Sequence, residues 1–547
     1  MKILFAVWGN YIDWKDAKYS YNQKIIESKT TLPLLLDQIN PDYSYIIISD
    51  TLINNLCLEK NIELKGNESY HELIELVKKS AKNFIEENIK NKDFLLNFDT
   101  LKFLVQPGIG NFSNSIFKGN PNNFYNILFY QLCQIVEDKF LSNLNDCNNK
   151  NNKNNENIES NQTNNNTNEN IEIYLDITHG INYMTFATYR AIKDILQMLS
   201  FFYYNRTKIT FTVLNSDPFQ KKSDQENILN INEIEKIKIV PDIKFYNYKN
   251  NYILRPSKFI EDNMKKEIGL NAPKIDCDND LKNYLIFSES FRSGLLPFII
   301  FFLPDSKNIK SYIEKGIEFF FNKMVIKYNL NIKKEEFENE NRSKEIKPNK
   351  IEITQNAYFT PIFQFLIQVY FISNFLKNTY NVIYNINEKD IVVSLKDLIK
   401  ISELYKYFRT IFIRIENELD KLFKLINRET TDNNQYKEEN KVENKEENKE
   451  NVVGLENKNS KEKFEIILKK METNFIDYGF IGYGINYDPS RNNNEGKNER
   501  NFYAHSGFAY EVMQIKKEND DILIKYKKDL FEKNIKNELI KNIPEGE

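Results

Sequence analysis

The chain is poor in the side chains that most often carry chemistry. Its 547 residues include four cysteines, Cys57, Cys133, Cys147 and Cys277. None is spaced as CxxC, so no zinc site is expected. There are three histidines, His71, His179 and His505, so imidazole chemistry has few places to reside. Charge of one sign is lacking too: 75 Lys and Arg face 78 Asp and Glu, for a net charge of −3. That excludes a uniformly basic coat and leaves any nucleic-acid contact to a local patch. No leader-like segment opens the chain, because Met1-Lys2 runs straight into the strand-like Ile3-Leu4-Phe5-Ala6-Val7. This predicts a cytoplasmic protein with reduced thiols. One charge-free stretch, residues 358–376, is long enough to span a membrane, but Pro361, Gln364, Gln368, Ser373 and Asn374 interrupt it. A buried helix is expected there, with no membrane association.

What is present suffices for real cores: 41% of residues are hydrophobic and 14% aromatic. The length suggests roughly two to four structural units. Apolar, β-branched-rich runs at 2–7, 43–49, 101–105, 171–175 and 209–214 alternate with helical patterns such as 124–141 and 183–199. Such alternation predicts an α/β, Rossmann-like domain with a parallel sheet over residues 1–220. More than half of residues 143–170 are asparagine, which marks a solvated insert. Residues 221–282 read as an irregular connector with a strand-like piece at 236–240. From 283 to 547, apolar stretches with helical spacing at 294–303, 313–328, 359–376 and 404–426 predict an all-α domain. Segments 333–350 and 428–463, rich in Glu, Lys and Asn, read as further inserts.

In an open parallel sheet, ligands bind beyond the carboxyl ends of the strands. There the sequence places Trp8-Gly9-Asn10, Ser49-Asp50-Thr51, Gln106-Pro107-Gly108-Ile109-Gly110-Asn111, Asp176-Ile177-Thr178-His179-Gly180-Ile181-Asn182 and Asn215-Ser216-Asp217. Small, hydrogen-bonding residues recur at every end. The fourth turn carries the strongest signal. A helix begins near Asn182, and free N–H groups at a helix start suit phosphate. Gly180 lets the backbone approach a ligand, while Thr178, His179 and Asn182 offer side-chain donors. Asp176 and Thr178 can equally serve as turn and helix caps. Gly108-Ile109-Gly110 resembles part of a dinucleotide fingerprint but lacks the third glycine. Thr30, in Ser28-Lys29-Thr30-Thr31-Leu32-Pro33, either caps the helix that follows or touches the ligand.

The nine residues Asp176–Met184 resemble the signature of the CARF–HEPN ribonucleases that accompany type III CRISPR systems. Trp8-Gly9-Asn10 with Trp14, Pro107-Gly108-Ile109-Gly110, Asn215-Ser216-Asp217-Pro218 and Phe291-Arg292-Ser293-Gly294-Leu295 agree with it. The resemblance is scattered over the chain and does not cover the inserts. It implies a Rossmann-like CARF sensor joined to an all-α HEPN domain, in a homodimer. It also implies a cyclic oligoadenylate as allosteric activator, commonly cyclic tetra-adenylate. Ligand contacts are expected among Trp8, Gly9, Asn10, Thr30, Gly108, Gly110, Asn111, Asp176, Thr178, His179, Gly180, Asn182, Asn215 and Ser216.

His505 ends the stretch Glu499-Arg500-Asn501-Phe502-Tyr503-Ala504-His505, which matches the R-x4-H pattern of HEPN ribonucleases. The pattern is common by chance; its weight comes from its place late in the helical region. RNA can be cut without a metal when its own 2′-hydroxyl attacks the adjacent phosphate and leaves a 2′,3′-cyclic phosphate. That step needs proton transfer near neutral pH, which suits an imidazole. It also needs a cation on the phosphate oxygens, which suits arginine. Asn501, four residues before His505, shares its helix face and can orient the ring or bind phosphate. The resemblance implies that Arg500 and His505 of two subunits face each other and cut single-stranded RNA with no metal cofactor. Two other readings are a non-catalytic nucleotide sensor and a ring nuclease that degrades its own activator. A ligand-regulated transcription factor would need a basic helix-turn-helix, and none is evident, so stable DNA binding is not expected. His71 reads as part of a helix start and is assigned no role.

Overall fold

Alternation along the first strand explains the layering of the N-terminal half. In β1 (Lys2–Val7), Ile3, Phe5 and Val7 face one core and Leu4 and Ala6 face another; all five are almost fully buried. A strand that is apolar on both faces needs cover on both. Helices Asn122–Val136 and Tyr183–Tyr203 cover the first face, and Leu32–Ile39 and Tyr70–Asn88 the second. The last of these begins with a capping box, in which Ser69 and Glu72 exchange hydrogen bonds just before and after His71. The structure, a computed structural model, describes residues 1–56, 64, 66–88, 101–141, 170–181, 183–204, 207–219, 228–245, 251–275, 278–329, 350–380, 385–387, 390–435, 459–466, 481–482, 513–518 and 521–527.

Chain order next gives β2 (Ala17–Tyr21), β3 (Lys24–Ser28), β4 (Tyr43–Ser49), β5 (Leu101–Gln106), β6 (Gly110–Asn111), β7 (Ser115–Lys118), β8 (Ile171–Asp176), β9 (Ile209–Ser216) and β10 (Ile228–Lys238). The five strands read from the sequence form the parallel centre of one sheet, in the order β9-β8-β1-β4-β5. The winding reverses between β1 and β8, which makes a switch point at their carboxyl ends. The sheet is wider than expected, and it is mixed rather than parallel throughout. β10 runs antiparallel to β9, β2 parallel to β10, and β3 antiparallel to β2. In β10, buried Leu229 and Ile231 alternate with exposed residues, the pattern of a strand covered on one face only. Residues 228–238 of the expected connector therefore belong to this sheet.

The second half is mainly helical, with helices Asp278–Ser293, Leu296–Phe301, Ser306–Asn322, Pro361–Tyr380, Leu395–Ser402 and Arg409–Gln435. It is not all-α. It also contains β11 (Leu254–Pro256), β12 (Met324–Asn329), β13 (Lys350–Gln355) and β14 (Ala357–Phe359). Further on, β15 (Asn385–Asn387), β16 (Asp390–Ser394), β17 (Ile481–Gly482), β18 (Met513–Glu518) and β19 (Asp521–Lys527) make an antiparallel five-stranded sheet. The helix expected over 313–328 stops at Asn322, because the β-branched run in β12 finds a partner in β13. The insert expected over 428–463 is helical at both ends, through Gln435 and again in 460–466. Residues 143–169 and 333–349 of the other two expected inserts lie outside the described residues. β13 runs parallel to β7, so the sheet β12-β13-β7-β6 is built by both halves of the chain.

The charge-free stretch is a core helix. In Pro361–Tyr380, Ile362, Phe363, Phe365, Leu366, Ile367, Val369, Ile372 and Phe375 are at most 1% exposed. Burial of each such side chain is worth about 1.5–3 kcal/mol. Among the described residues, no helix is long and apolar enough to cross a membrane.

Candidate ligand site at the strand ends

The carboxyl ends of β1, β4, β5 and β8 open onto a cavity of about 110 Å³. Trp8, Gly9 and Asn10 reach it from β1, and Ser49, Thr51, Leu52, Asn54 and Asn55 from β4. Ile109 and Phe112 reach it from β5, and Ile181, Tyr183 and Met184 from β8. A small-molecule pocket usually exceeds about 300 Å³, so a larger ligand would have to extend beyond this space.

Close backbone approach explains the glycines at its border. A Cβ on Gly108 would lie 2.1 Å from Ser49 Oγ and 2.7 Å from Thr51 Cγ2; one on Gly9 would lie 2.1 Å from Ile181 Cδ1. Gly108 donates its N–H to Asp50 Oδ1 at 2.6 Å, and its carbonyl accepts from Gln355 Nε2 at 2.9 Å. The neighbouring Ile109 N–H donates to the Tyr183 hydroxyl at 3.1 Å. Asp50 is fully buried and also accepts from the Tyr70 hydroxyl at 2.9 Å. Burial pushes its carboxyl up to about 7, against the pull of these hydrogen bonds. Asn10 Oδ1 accepts from Asn55 Nδ2 at 2.6 Å, and its Nδ2 donates to Asp13 at 2.5 Å. Trp8 is fully buried against Trp14 and Phe84, and among the described residues its Nε1–H has no hydrogen-bond partner. Gly110 sits in β6 against the Phe112 ring, and Asn111 beside it is exposed.

The Asp176–Gly180 turn is organised differently, because its polar groups bond largely to one another. Asp176, 1% exposed, accepts from Thr31 Oγ1 at 2.5 Å and from the Thr178 N–H at 3.0 Å. Thr178 Oγ1 accepts from the Ser216 N–H at 3.0 Å, which ties the turn to β9. His179 Nε2 accepts from the Thr31 N–H at 3.3 Å, and its ring lies 4.1 Å from that of Trp14. Burial pushes His179 down to about 4, against the opposing field of Asp176, so the ring is neutral and Nδ1 carries its proton. The His179 carbonyl accepts from the Gly9 N–H at 2.8 Å, and the Gly180 N–H closes the turn on Ile177 O at 3.1 Å. A Cβ on Gly180 would lie 2.1 Å from Thr185 Cγ2.

The sequence-derived set thus separates. Trp8, Gly9 and Asn10 line the cavity, and Gly108 and Gly110 flank residues that do. Asp176, Thr178, His179, Gly180, Asn215 and Ser216 lie beside it without lining it. Thr30 is fully buried, with its hydroxyl accepting from the Leu32 N–H at 3.4 Å; Thr31 is the residue that reaches the turn. Asn182, Arg500, Asn501 and His505 lie outside the described residues. Sequence reasoning missed Asp50, Asn55, Phe112 and Tyr183. Asp50 stood in a strand-end stretch that had already been singled out and Tyr183 within the nine-residue signature, whereas Phe112 carried no signal beyond adjacency to such a stretch.

Residues 3–218 match the family model described as CRISPR system endoribonuclease Csx1, CARF domain. The chain is also similar to the CRISPR system endoribonuclease Csx1 of Methanocaldococcus jannaschii, with 28% identity over 450 residues, 80% of this chain and 77% of that one. The family match covers β1 to β9, and with them the cavity and the Asp176–Gly180 turn. On these grounds residues 3–218 are similar to the CARF domain of a CRISPR-associated endoribonuclease, and the chain as a whole is similar to one such enzyme.

Proposed function

We propose that this protein is an endoribonuclease of type III CRISPR antiviral defence that is switched on by a cyclic oligoadenylate, with cyclic tetra-adenylate as the expected ring. The observation that carries this reading is the cavity at the switch point, walled by backbone-tight glycines and neutral amides, in a chain similar to Csx1 over most of its length. Asn10, Asn54 and Asn55 supply amides suited to base edges and phosphate oxygens, Phe112 an exposed ring on which a base can stack, and Trp8 a donor in need of an acceptor. A ring too large for one cavity is shared by two copies in a homodimer. In this reading the signature turn supports the cavity wall through the His179–Gly9 hydrogen bond. Arg500 and His505 from both subunits then cut single-stranded RNA without a metal, with Asn501 orienting the imidazole.

The test is purified protein with labelled RNA in EDTA and cyclic oligoadenylates of three, four and six units. Wild type is expected to cut with one ring size and to leave a 2′,3′-cyclic phosphate. Arg500→Ala and His505→Ala are expected to bind the ring and leave the RNA intact. Unchanged cutting by both variants would overturn the assignment of the cleavage site. Loss of activator over time, in the Arg500→Ala/His505→Ala double variant, would instead mark a ring nuclease.

A further inference from the structure

One side chain ties the lip of the cavity to the second half of the chain. Gln355 ends β13 and is 1% exposed. Its Nε2 donates to the Gly108 carbonyl at 2.9 Å, while its Oε1 accepts from Asn123 Nδ2 at 2.8 Å and from the Asn120 N–H at 3.3 Å. These partners fix the orientation of the amide, since a carbonyl oxygen only accepts and a backbone N–H only donates. Gly119 makes room for it: a Cβ there would lie 2.2 Å from Gln355 Cδ. Asn123, fully buried at the start of the Asn122–Val136 helix, accepts in turn from the Phe359 N–H of β14 at 3.1 Å. Pro361 follows almost at once and opens the long core helix. On the cavity side, Gly108 is also held by Asp50, and the next residue, Ile109, lines the cavity.

We propose that Gln355 is a positioning residue that carries the state of the strand-end cavity into the helical half. A ligand that displaces the loop from Pro107 to Phe112 pulls on Gln355, and through it on Asn123, β14 and the Pro361–Tyr380 helix. The proposal rests on the ligand-gated reading above. Packed interiors yield little, and Gly108 has no clearance on its Cβ side. A lip movement of about 1 Å either breaks a 2.9 Å hydrogen bond or drags its partner along. β13 is paired with β7 alongside, so the strand pair moves as one unit. Coupling between two sites is typically 5- to 150-fold, a range in which the loss of one buried tie is measurable.

The test uses the full chain, labelled single-stranded RNA, and whichever of cyclic tri-, tetra- or hexa-adenylate activates wild type. Gln355→Met keeps the volume and removes every hydrogen bond. Gln355→Glu, when ionised, keeps the acceptor for Asn120 and Asn123 and loses only the donor to Gly108. Both variants are expected to bind the ring within about threefold of wild type and to keep basal cutting, while Gln355→Met loses at least about tenfold of the stimulation. In Gln355→Glu, stimulation relative to wild type at the same pH is expected to recover as pH falls, because the protonated carboxyl can donate to Gly108 again. A role confined to stability would lower basal and stimulated cutting together, whereas loss of the relay lowers only the stimulation. Full stimulation in Gln355→Met, or a Gln355→Glu defect that no pH relieves, would overturn the relay. A wild type that neither binds nor answers any ring would remove the ligand-gated reading itself, whereas responsive variants beside a responsive wild type remove only the relay.

Discussion

Two clusters share the carboxyl edge of one sheet and are built on opposite plans. In the Asp176–Gly180 turn, the carboxylate, hydroxyl and imidazole acceptors are taken up by Thr31, Thr178 and Ser216 within the protein. Around the cavity, Trp8 has a buried donor with no partner among the described residues, and Phe112 and Ile181 are 39% and 41% exposed. The first part of the most recognisable stretch, Asp176–Gly180, is thus built as scaffold, while its last part, through Ile181, Tyr183 and Met184, borders the open space with less recognisable stretches. A motif can persist because it holds a wall in place, not because it touches what lies inside.

The contrast can be broken most directly at Asp176. Asp176→Ala leaves Thr31 Oγ1 and the Thr178 N–H without their acceptor and is expected to cost about 3 kcal/mol of stability, read from the urea midpoint, with ring affinity changed only about threefold. Ring affinity that collapses at unchanged stability would put the Asp176–Gly180 turn in contact with the ligand and dissolve the distinction. Gly108→Ala tests the other cluster. Its Cβ would overlap Ser49 Oγ, and relieving the overlap is expected to weaken ring binding roughly 30-fold, about 2 kcal/mol, by titration.

Each cluster also holds one group, His179 or Asp50, that burial displaces within the range from about 4 to 7, and the two should oppose each other. His179 is held at about 4 in the fold, below its ordinary 6.5. Between those values the unfolded chain binds the extra proton, so stability falls as pH falls, by at most about 1.4 kcal/mol per unit. Asp50 is held at about 7, above its ordinary 3.8. Between those values the folded chain holds the extra proton, so stability falls as pH rises. Urea midpoints should therefore rise with pH in Asp50→Asn and fall with pH in His179→Asn, from pH 4 to 6.5; parallel profiles in the two variants would refute the assignment. The smallest effect is expected for Phe112→Ala, where loss of a stacking surface weakens ring binding by about 1 kcal/mol, roughly fivefold, and lowers the urea midpoint slightly through the lost edge contact with Phe117. Unaltered affinity there would leave the exposed ring without a part in binding.

The parallel centre of the sheet was legible because doubly covered strands are apolar along their whole length: Lys2–Val7 and Tyr43–Ser49 were read to the residue. β10 was read only in part, because a strand covered on one face alternates, and Ile228–Lys238 also includes the charged Glu233, Glu235 and Lys236. β12 was read as helix because Met324-Val325-Ile326 continues the apolar rhythm of the helix before it, and only its pairing with β13 decides otherwise. At the site, the strand ends were legible from their small polar residues. Which of those residues face the cavity was not, because that depends on contacts such as Thr31 with Asp176, 145 residues apart in the chain.

The pairing of β7 with β13 also bears on how the chain is made. On a ribosome adding about 5–20 residues per second, Gly108 emerges 247 residues before Gln355 and waits roughly 12–50 s for its partner. During that interval the β13-facing edge of β7 offers unsatisfied backbone groups to any passing strand. The nascent N-terminal half is therefore an exposed intermediate during synthesis, and the same edge would be laid bare by any truncation that keeps residues 1–220 and discards the rest.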